Sequence, residues 1–212
     1  SPPVLSDAMD LAKMLAVLDM IAPLESEQFR IWRQTRTGLL SYPVDVDLAR
    51  AHLASSVYLQ MALKPHIVHV VAHTEAHHAA TAEDVIEACK LARRAIDNAL
   101  GGQPDMTRDP VVQARRQELM RDAELILNAI RYIADPQVRD PFIDPPTLAR
   151  AVNVGLLDAP HLHNNPYARG QVETRVDDRG ACIAVNPATG DPLPEAERIA
   201  SLGIAVDRKS VV

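Results

Sequence analysis

Residues 66–81, with the sequence HIVHVVAHTEAHHAAT, decide the fold and hold five of the eight histidines of the chain. Residues 67–72 are almost all apolar and mostly β-branched, which predicts a strand covered on both faces. Thr81, Glu83 and Asp84 form a capping-box-like start with acid in the first turn, which predicts a helix from residue 82. The stretch therefore predicts a strand, a polar loop and a helix in that order.

The segments on either side extend this pattern. Apolar residues at helical spacing predict helices over residues 6–22, 47–63 and 82–99, and Asp109-Pro110 predicts the start of another long helix. Residues 26–40 are mixed and fit either a short strand or the beginning of a helix. The helix–strand–helix order is typical of a parallel α/β protein. Two strands are too few to form a closed barrel. Either further strands lie in weakly patterned segments, or the chain is part of a larger barrel.

The character of the sequence changes after residue 134. Three Asp-Pro steps between residues 135 and 145 predict a rigid, extended connector. A short helix over 147–154 follows and ends at Gly155, and residues 171–185 alternate around a DDRG turn, which predicts a β-hairpin. We therefore divide the chain into residues 1–134, with the strand and the long helices, and residues 135–212, an irregular extension with a hairpin.

Composition excludes several classes of function. The chain carries 22 Lys and Arg against 28 Asp and Glu, a net charge of −6, and it has no dense basic cluster, so we expect no nucleic-acid partner. No apolar run has the length of a membrane span, and we expect no membrane partner. The two cysteines, Cys89 and Cys182, lie far apart and form no CxxC pair, which favours a reducing compartment and predicts a cytoplasmic protein.

The histidines allow three interpretations. His69, His73 and His77 are four residues apart, and on a helix this spacing could present zinc ligands. The β-branched run favours a strand, on which the three would not converge, so we predict no metal there. Some histidines, His66 and His78 above all, fit packing or exposed positions without a role. In the third interpretation the loop forms the rim of a pocket, because ligands of α/β proteins bind beyond the carboxyl ends of strands; the carboxylate of Glu75 could then accept from two adjacent hydroxyls, such as a ribose diol.

Two long stretches resemble one known family. IVHVVAHTEAHHAATAEDVIEACKLARRAI, residues 67–96, resembles the last barrel strand, loop and helix of the epsilon-type large subunit of glutamate mutase, also called methylaspartate mutase. LARAVNVGLLDAPHLHNNPYARGQVETRVDDRGACIAV, residues 148–185, resembles the C-terminal extension of that subunit. The second stretch carries Gly155, Asp158 and Pro160, then Tyr167 and Gly170. The resemblance covers roughly residues 5–195 and only the C-terminal half of such a subunit.

The resemblance implies an α/β fold: the C-terminal part of a TIM (β/α)8 barrel, helix-rich, followed by the irregular extension. It also implies adenosylcobalamin, held jointly with a separate small cobalamin-binding subunit, and a small substrate of the carboxylic acid class. Glu75 matches the family glutamate that contacts the adenosyl ribose. Val71 stands where the family has a lysine for the same ribose, and His73 is the neighbouring side chain that could replace it as a donor.

The resemblance therefore implies one component of an adenosylcobalamin-dependent carbon-skeleton mutase, an isomerase, that needs the remaining barrel half or upstream chain as a partner. The family's substrate-binding arginines and its cobalt-ligand loop belong to other parts of the assembly, so no catalytic residue is assigned in this chain. Val71 supports an alternative, a non-catalytic barrel-derived scaffold or assembly subunit. A third alternative is a metal hydrolase that uses the histidines.

Overall fold

The computed structural model describes residues 6–163, 165 and 167–205. Residues 1–5 of the predicted portion 1–134, and residues 164, 166 and 206–212 of the predicted portion 135–212, lie outside the described residues. Within the described residues the protein is a helix-rich α/β chain with two small, two-stranded sheets. It forms two compact units, one spanning Leu11–Gln113 and the other combining residues 6–10 with the described residues from Ala114 onward. The predicted division after residue 134 stays a prediction.

The elements follow one another in a simple order. Helices are α1 (Asp7–Ile21), α2 (Val46–Gln60), α3 (Ala82–Leu100), α4 (Pro110–Ile133), α5 (Pro145–Asn153) and α6 (Glu195–Ser201), and strands are β1 (Gln34–Arg36), β2 (Ile67–His69), β3 (Thr174–Val176) and β4 (Cys182–Ala184). Short 3-10 turns occupy Ala22–Leu24, Leu39–Ser41, Met61–Leu63 and Met106–Arg108. The predicted helices over 6–22, 47–63 and 82–99 are confirmed to within a few residues, and the uncertain segment 26–40 contains β1.

In the Leu11–Gln113 unit, β1 and β2 pair in parallel, with Gln34 opposite Ile67 and Arg36 opposite His69. The parallel direction predicted for the strand after residue 66 is thereby confirmed. α2 and α3 pack against each other and against one face of this sheet, where Val68 and Val70 join the hydrophobic core. That core also contains alanines of α3, whose small side chains let the two helices approach closely.

Within the described residues, β2 is not covered on both faces as predicted. Its regular part is three residues long, and its side chains at Ile67 and His69 are exposed while Val68 is half-buried. Among the described residues only β1 pairs with it, and Val68 packs against a core formed mainly by α2 and α3. Alternate residues of the β-branched run pack on the helices. Val71 and Ala72, which follow the strand, are fully buried.

The second unit has its own core, in which residues of α4, α5 and α6 surround Leu156. The hairpin predicted over residues 171–185 is confirmed, since β3 and β4 are antiparallel with Thr174 opposite Ala184. The short helix predicted to end at Gly155 is also confirmed: α5 ends at Asn153, and Gly155 has φ +85°, a conformation that favours glycine.

Candidate functional site

The loop between β2 and α3 is the candidate site, and it changes abruptly from buried to exposed. Residues 71–74 are buried, whereas residues 75–79 are exposed. α3 then begins at the N-cap Thr81, whose Oγ1 accepts from the backbone N–H of Asp84 while Asp84 Oδ2 accepts from the N–H of Thr81 at 2.8 Å. The predicted capping box is therefore confirmed. The hydrogen bond from the backbone N–H of Thr81, and to a smaller extent the one from its hydroxyl, lower the pKa of the Asp84 carboxyl.

Glu75 lies at the first exposed position of the loop, and its carboxylate is oriented by the backbone. Glu75 Oε1 accepts from the N–H of Ala72 at 2.8 Å, and the N–H of Glu75 donates to the carbonyl of Ala72 at 3.0 Å. These two bonds close a tight turn. Within the described part of the chain, Glu75 Oε2 has no protein donor, which leaves it available to hydroxyl groups of a ligand.

Tyr42, six residues after β1, is hydrogen-bonded to the segment that follows β2. Its Oη donates to the carbonyl of Val71, just after β2, at 2.8 Å. Thr37, just after β1, is buried and donates through Oγ1 to Ser56 Oγ at 3.1 Å. Burial raises the pKa of Tyr42 to about 12. A hydrogen bond with Thr37 opposes this rise, and the negative charge of Glu75 adds to it. Tyr42 therefore remains a protonated hydrogen-bond donor at neutral pH.

His73 lies two residues before Glu75 but is presented to the interior. Its side chain is 1% exposed, and neither ring nitrogen has a hydrogen-bond partner among the described residues. An unpaired buried polar group costs about 1–3 kcal/mol. Glu87 on α3 places its Oε2 3.8 Å from His73 Nε2. In this arrangement His73 does not share a surface with the exposed Glu75 carboxylate, and its role as a donor to a ribose stays a prediction.

Glu87 is held by Arg50 of α2. Arg50 donates through Nε to Glu87 Oε1 at 2.6 Å and through Nη2 to Oε2 at 3.3 Å, and through Nη1 to Asp47 Oδ1 at 2.8 Å. The hydrogen bond from Arg50 lowers the pKa of the Glu87 carboxyl, so this carboxylate is ionised at neutral pH. The buried imidazole therefore faces a fixed negative charge that is anchored to both helices.

The other histidines of residues 66–81 are dispersed. His66 Nδ1 accepts from the N–H of Arg33 at 3.0 Å, and its ring contacts Trp32 edge-on at 5.0 Å. His69 is exposed on β2, and His77 and His78 are exposed in the loop. Across residues 6–163, 165 and 167–205, no three His, Cys, Asp or Glu side chains are grouped so that they could hold a metal ion. The hydrolase alternative consequently gains no support from the described residues.

Val71 bears directly on the resemblance to the mutase family. Its side chain is 2% exposed and packs in the core with Leu53 and Ala92. The position of the family lysine is thus occupied by a core residue that offers no donor to a ligand.

Among the described helices, none is long and apolar enough to cross a membrane.

The glycine and aspartate residues highlighted in the extension are structural. Asp158 accepts three backbone hydrogen bonds, from Gly170 at 2.6 Å and from Gln171 and Val172 at 2.8 Å. Burial opposes ionisation of Asp158, but the bonds from Val172, Gln171 and Gly170 outweigh it and hold the pKa of its carboxyl below the usual range. This carboxylate holds the segment before β3 in place through its backbone hydrogen bonds.

Sequence reasoning missed Tyr42, Arg50 and Glu87. Tyr42 follows β1 in a segment whose pattern fits neither a strand nor a helix clearly, so nothing indicated that it reaches Val71. The Arg50–Glu87 pair joins residues 37 positions apart, and such a pairing leaves no local signal. No known protein family and no curated protein matches this sequence.

Proposed function

We propose that this chain forms the cofactor-ribose side of an adenosylcobalamin-dependent carbon-skeleton mutase of the glutamate/methylaspartate mutase type. The observation that carries the proposal is the oriented carboxylate of Glu75. It follows a strand that is parallel to its neighbour, and it stands at the carboxyl end of that strand with Oε2 unpaired among the described residues. Ligands of parallel α/β folds bind at this end of the strands.

Glu75 fits the adenosyl ribose chemically. A carboxylate with one oxygen fixed by a backbone N–H and the other available can accept from vicinal hydroxyls. When bound, adenosylcobalamin would supply the radical that abstracts a substrate hydrogen. This chain would supply Glu75 as the acceptor that orients the ribose, and Tyr42 as the buried hydrogen bond that fixes the backbone beside it.

The uncovered face of the β1–β2 sheet supports a role within a larger barrel. Gln34 and Arg36 of β1 and Ile67 and His69 of β2 are exposed, on the face opposite the helices. In a barrel that face is the interior, and it is covered only when the other strands are present. The proposal therefore includes the remaining barrel half or upstream chain, a small cobalamin-binding subunit and a substrate of the carboxylic acid class as partners.

The test is adenosylcobalamin affinity measured by equilibrium dialysis, with the chain, its barrel partner and a small cobalamin-binding subunit present together. Glu75→Gln keeps the shape and removes the charge. Losing one charge-assisted hydrogen bond of about 1.5–3 kcal/mol should weaken binding roughly 10- to 150-fold. Glu83→Gln, which removes an exposed carboxylate from the first turn of α3, is the matched control and should leave affinity unchanged.

A second candidate is a scaffold or assembly subunit without chemistry, and the burial of Val71 favours it. The same measurement separates the two functions. A scaffold would join the partner subunits in a stable complex that binds no adenosylcobalamin, or binds it with the same affinity when Glu75 is replaced by Gln. Stable assembly without cofactor binding would therefore reject the mutase proposal and retain the scaffold.

A further inference from the structure

A layer of polar side chains lies buried between β1 and α2, inside the Leu11–Gln113 unit. Thr35 on β1, Thr37 just after it and Gln60 at the end of α2 are each less than a tenth exposed. Thr37 donates through Oγ1 to Ser56 Oγ at 3.1 Å, and Gln60 donates through Nε2 to the same oxygen at 3.0 Å. The hydroxyl oxygen of Ser56 therefore accepts two hydrogen bonds, which occupies both of its lone pairs.

Two atoms of this layer, Thr35 Oγ1 and Gln60 Oε1, have no hydrogen-bond partner among the described residues. Buried polar atoms of folded proteins nearly always bond to protein or to ordered water, because a buried group without a partner has lost its hydration for no return. Exchanging the two ends of the Gln60 amide would not remove the need, since the amide nitrogen would then require an acceptor in place of Oε1. Both side chains therefore require one more partner.

The topology places these two side chains opposite each other. α2 connects two parallel strands, so it runs antiparallel to both of them. The step from Thr37 back to Thr35 is about 6.6 Å along a strand, and the step from Ser56 on to Gln60 is about 6 Å along a helix. Each step also returns to the same face of its element. Because Thr37 contacts Ser56, Thr35 lies at the level of Gln60.

We infer that one ordered water molecule binds between Thr35 and Gln60 and completes this polar layer. Water both donates and accepts, so it can donate to Gln60 Oε1 and exchange a second hydrogen bond with the Thr35 hydroxyl. With hydrogen bonds of about 2.8 Å, a single water joins polar atoms up to about 5.6 Å apart. The site is separate from Glu75, and the inference does not depend on the proposed function.

The water gives β1 and α2 a second polar contact, one helical turn beyond the contact of Thr37 with Ser56. Hydrogen bonds between fixed partners define the position of a helix along a strand more sharply than apolar contacts do. The direct contact and the water-mediated contact together therefore set the register of α2 on β1.

A crystal structure of the full chain, at a resolution that shows ordered water, tests the site directly. We expect density for one water within about 3.2 Å of both Thr35 Oγ1 and the Gln60 amide. A direct hydrogen bond between the two side chains, or a gap between them without water density, would overturn the inference.

Thr35→Val tests the same site in solution, because valine keeps the shape of threonine and lacks the hydroxyl. The variant deprives the water of one partner, so the unfolded fraction should rise roughly 5- to 30-fold in urea titrations. If Thr35 Oγ1 has no partner in solution, removing it should stabilise the protein, and that result would reject the bound water. Thr174→Val, at an exposed position of β3, is the control and should change the unfolded fraction by less than about 2-fold.

Oxygen-17 relaxation dispersion of the solvent counts long-lived internal waters and completes the test. The wild type should exceed Thr35→Val by about one water molecule, and Thr174→Val should equal the wild type. Equal dispersion in the wild type and Thr35→Val would contradict a bridging water even where the variant is less stable. Gln60→Met removes the amide from the other side of the site and provides the same comparison should Thr35→Val fail to fold.

Discussion

Glu75 and the backbone of Ala72 are joined by two hydrogen bonds: the N–H of Ala72 donates to Glu75 Oε1 at 2.8 Å, and the N–H of Glu75 donates to the Ala72 carbonyl at 3.0 Å. The first uses the side chain of Glu75 and the second its amide, so the turn and the orientation of the carboxylate depend on one another. Glu75 is thus part of the loop's structure as well as the candidate ligand-binding group.

Shortening Glu75 should therefore loosen the turn even without a ligand. In Glu75→Ala the N–H of Ala72 loses its acceptor, and we expect local opening at this amide to become easier by about 1 kcal/mol. Glu75→Gln retains a side-chain oxygen and should keep most of the protection. Native-state hydrogen exchange at Ala72 measures the difference. Equal protection in the Ala and Gln variants would show that the Oε1 contact does not order the loop.

Tyr42→Phe should destabilise the Leu11–Gln113 unit by about 1–3 kcal/mol, because the buried carbonyl of Val71 loses its hydrogen-bond donor. Tyr132→Phe on α4 is the matched control, since that tyrosine is 63% exposed. Urea unfolding followed by circular dichroism measures both. A cost for Tyr42→Phe no larger than for Tyr132→Phe would contradict a stabilising hydrogen bond between Tyr42 and Val71.

The same tyrosine gives a spectroscopic prediction. Burial is the main reason that the pKa of Tyr42 rises to about 12, so its phenolate should form well above the ordinary tyrosine range. In an alkaline titration followed by ultraviolet absorbance, Tyr42→Phe should remove only the last-titrating fraction of the signal. Removal of signal from the earlier part of the curve would show that Tyr42 is exposed to solvent.

Elements that depend on neighbouring residues could be predicted from the sequence. The capping box at Thr81 and the hairpin around Asp177 were predictable because each depends on residues within a few positions of one another. The parallel direction of β2 followed from the order of elements. Glu75 could be placed in the loop because it follows the strand.

Long-range relationships were not predictable in the same way. The coverage of β2 depends on which elements pack on its two faces, which the β-branched run does not encode. The sequence does not indicate that His73 is buried beside Glu87, fourteen residues later, and its role as a donor to the ribose stays a prediction. Tyr42 reaches Val71 across 29 positions through a segment without a clear period. Contacts of this kind are set by packing in three dimensions and not by spacing along the chain.

Asp122 on α4 should make the stability of the chain depend on pH. Burial is the main reason that the pKa of its carboxyl rises from 3.8 to about 6. The negative charges of Glu195 and Glu118 add to this rise, and the positive charges of Arg115 and Arg121 oppose it. Because the folded state keeps the proton that the unfolded state has released, stability should fall as pH rises from about 4 to about 6 and then stay level.

Asp122→Asn should remove this dependence. The full difference in pKa corresponds to about 3 kcal/mol, and solvent screening at a half-buried carboxyl reduces it to about 1 kcal/mol. The variant should therefore match the wild type below pH 4 and exceed its stability by about that amount at pH 7. Glu124→Gln, an exposed position on the same helix, is the control. Urea unfolding at several pH values tests this, and a parallel pH profile for Asp122→Asn and wild type would contradict it.

Gly170 offers the sharpest test of the extension. It has φ +63°, and an added Cβ would lie 2.5 Å from the Leu162 carbonyl oxygen, so Gly170→Ala combines backbone strain with a collision against the main chain. Gly190 is the matched control because it has φ +74° and nothing within 4 Å of an added Cβ. Gly190→Ala should cost about 1 kcal/mol from strain alone. Gly170→Ala should cost at least about 3 kcal/mol, because it must also displace the turn that donates to Asp158. Thermal unfolding of the two variants isolates the steric contribution, and equal losses of stability would show that the close approach of Gly170 to Leu162 is absent in solution.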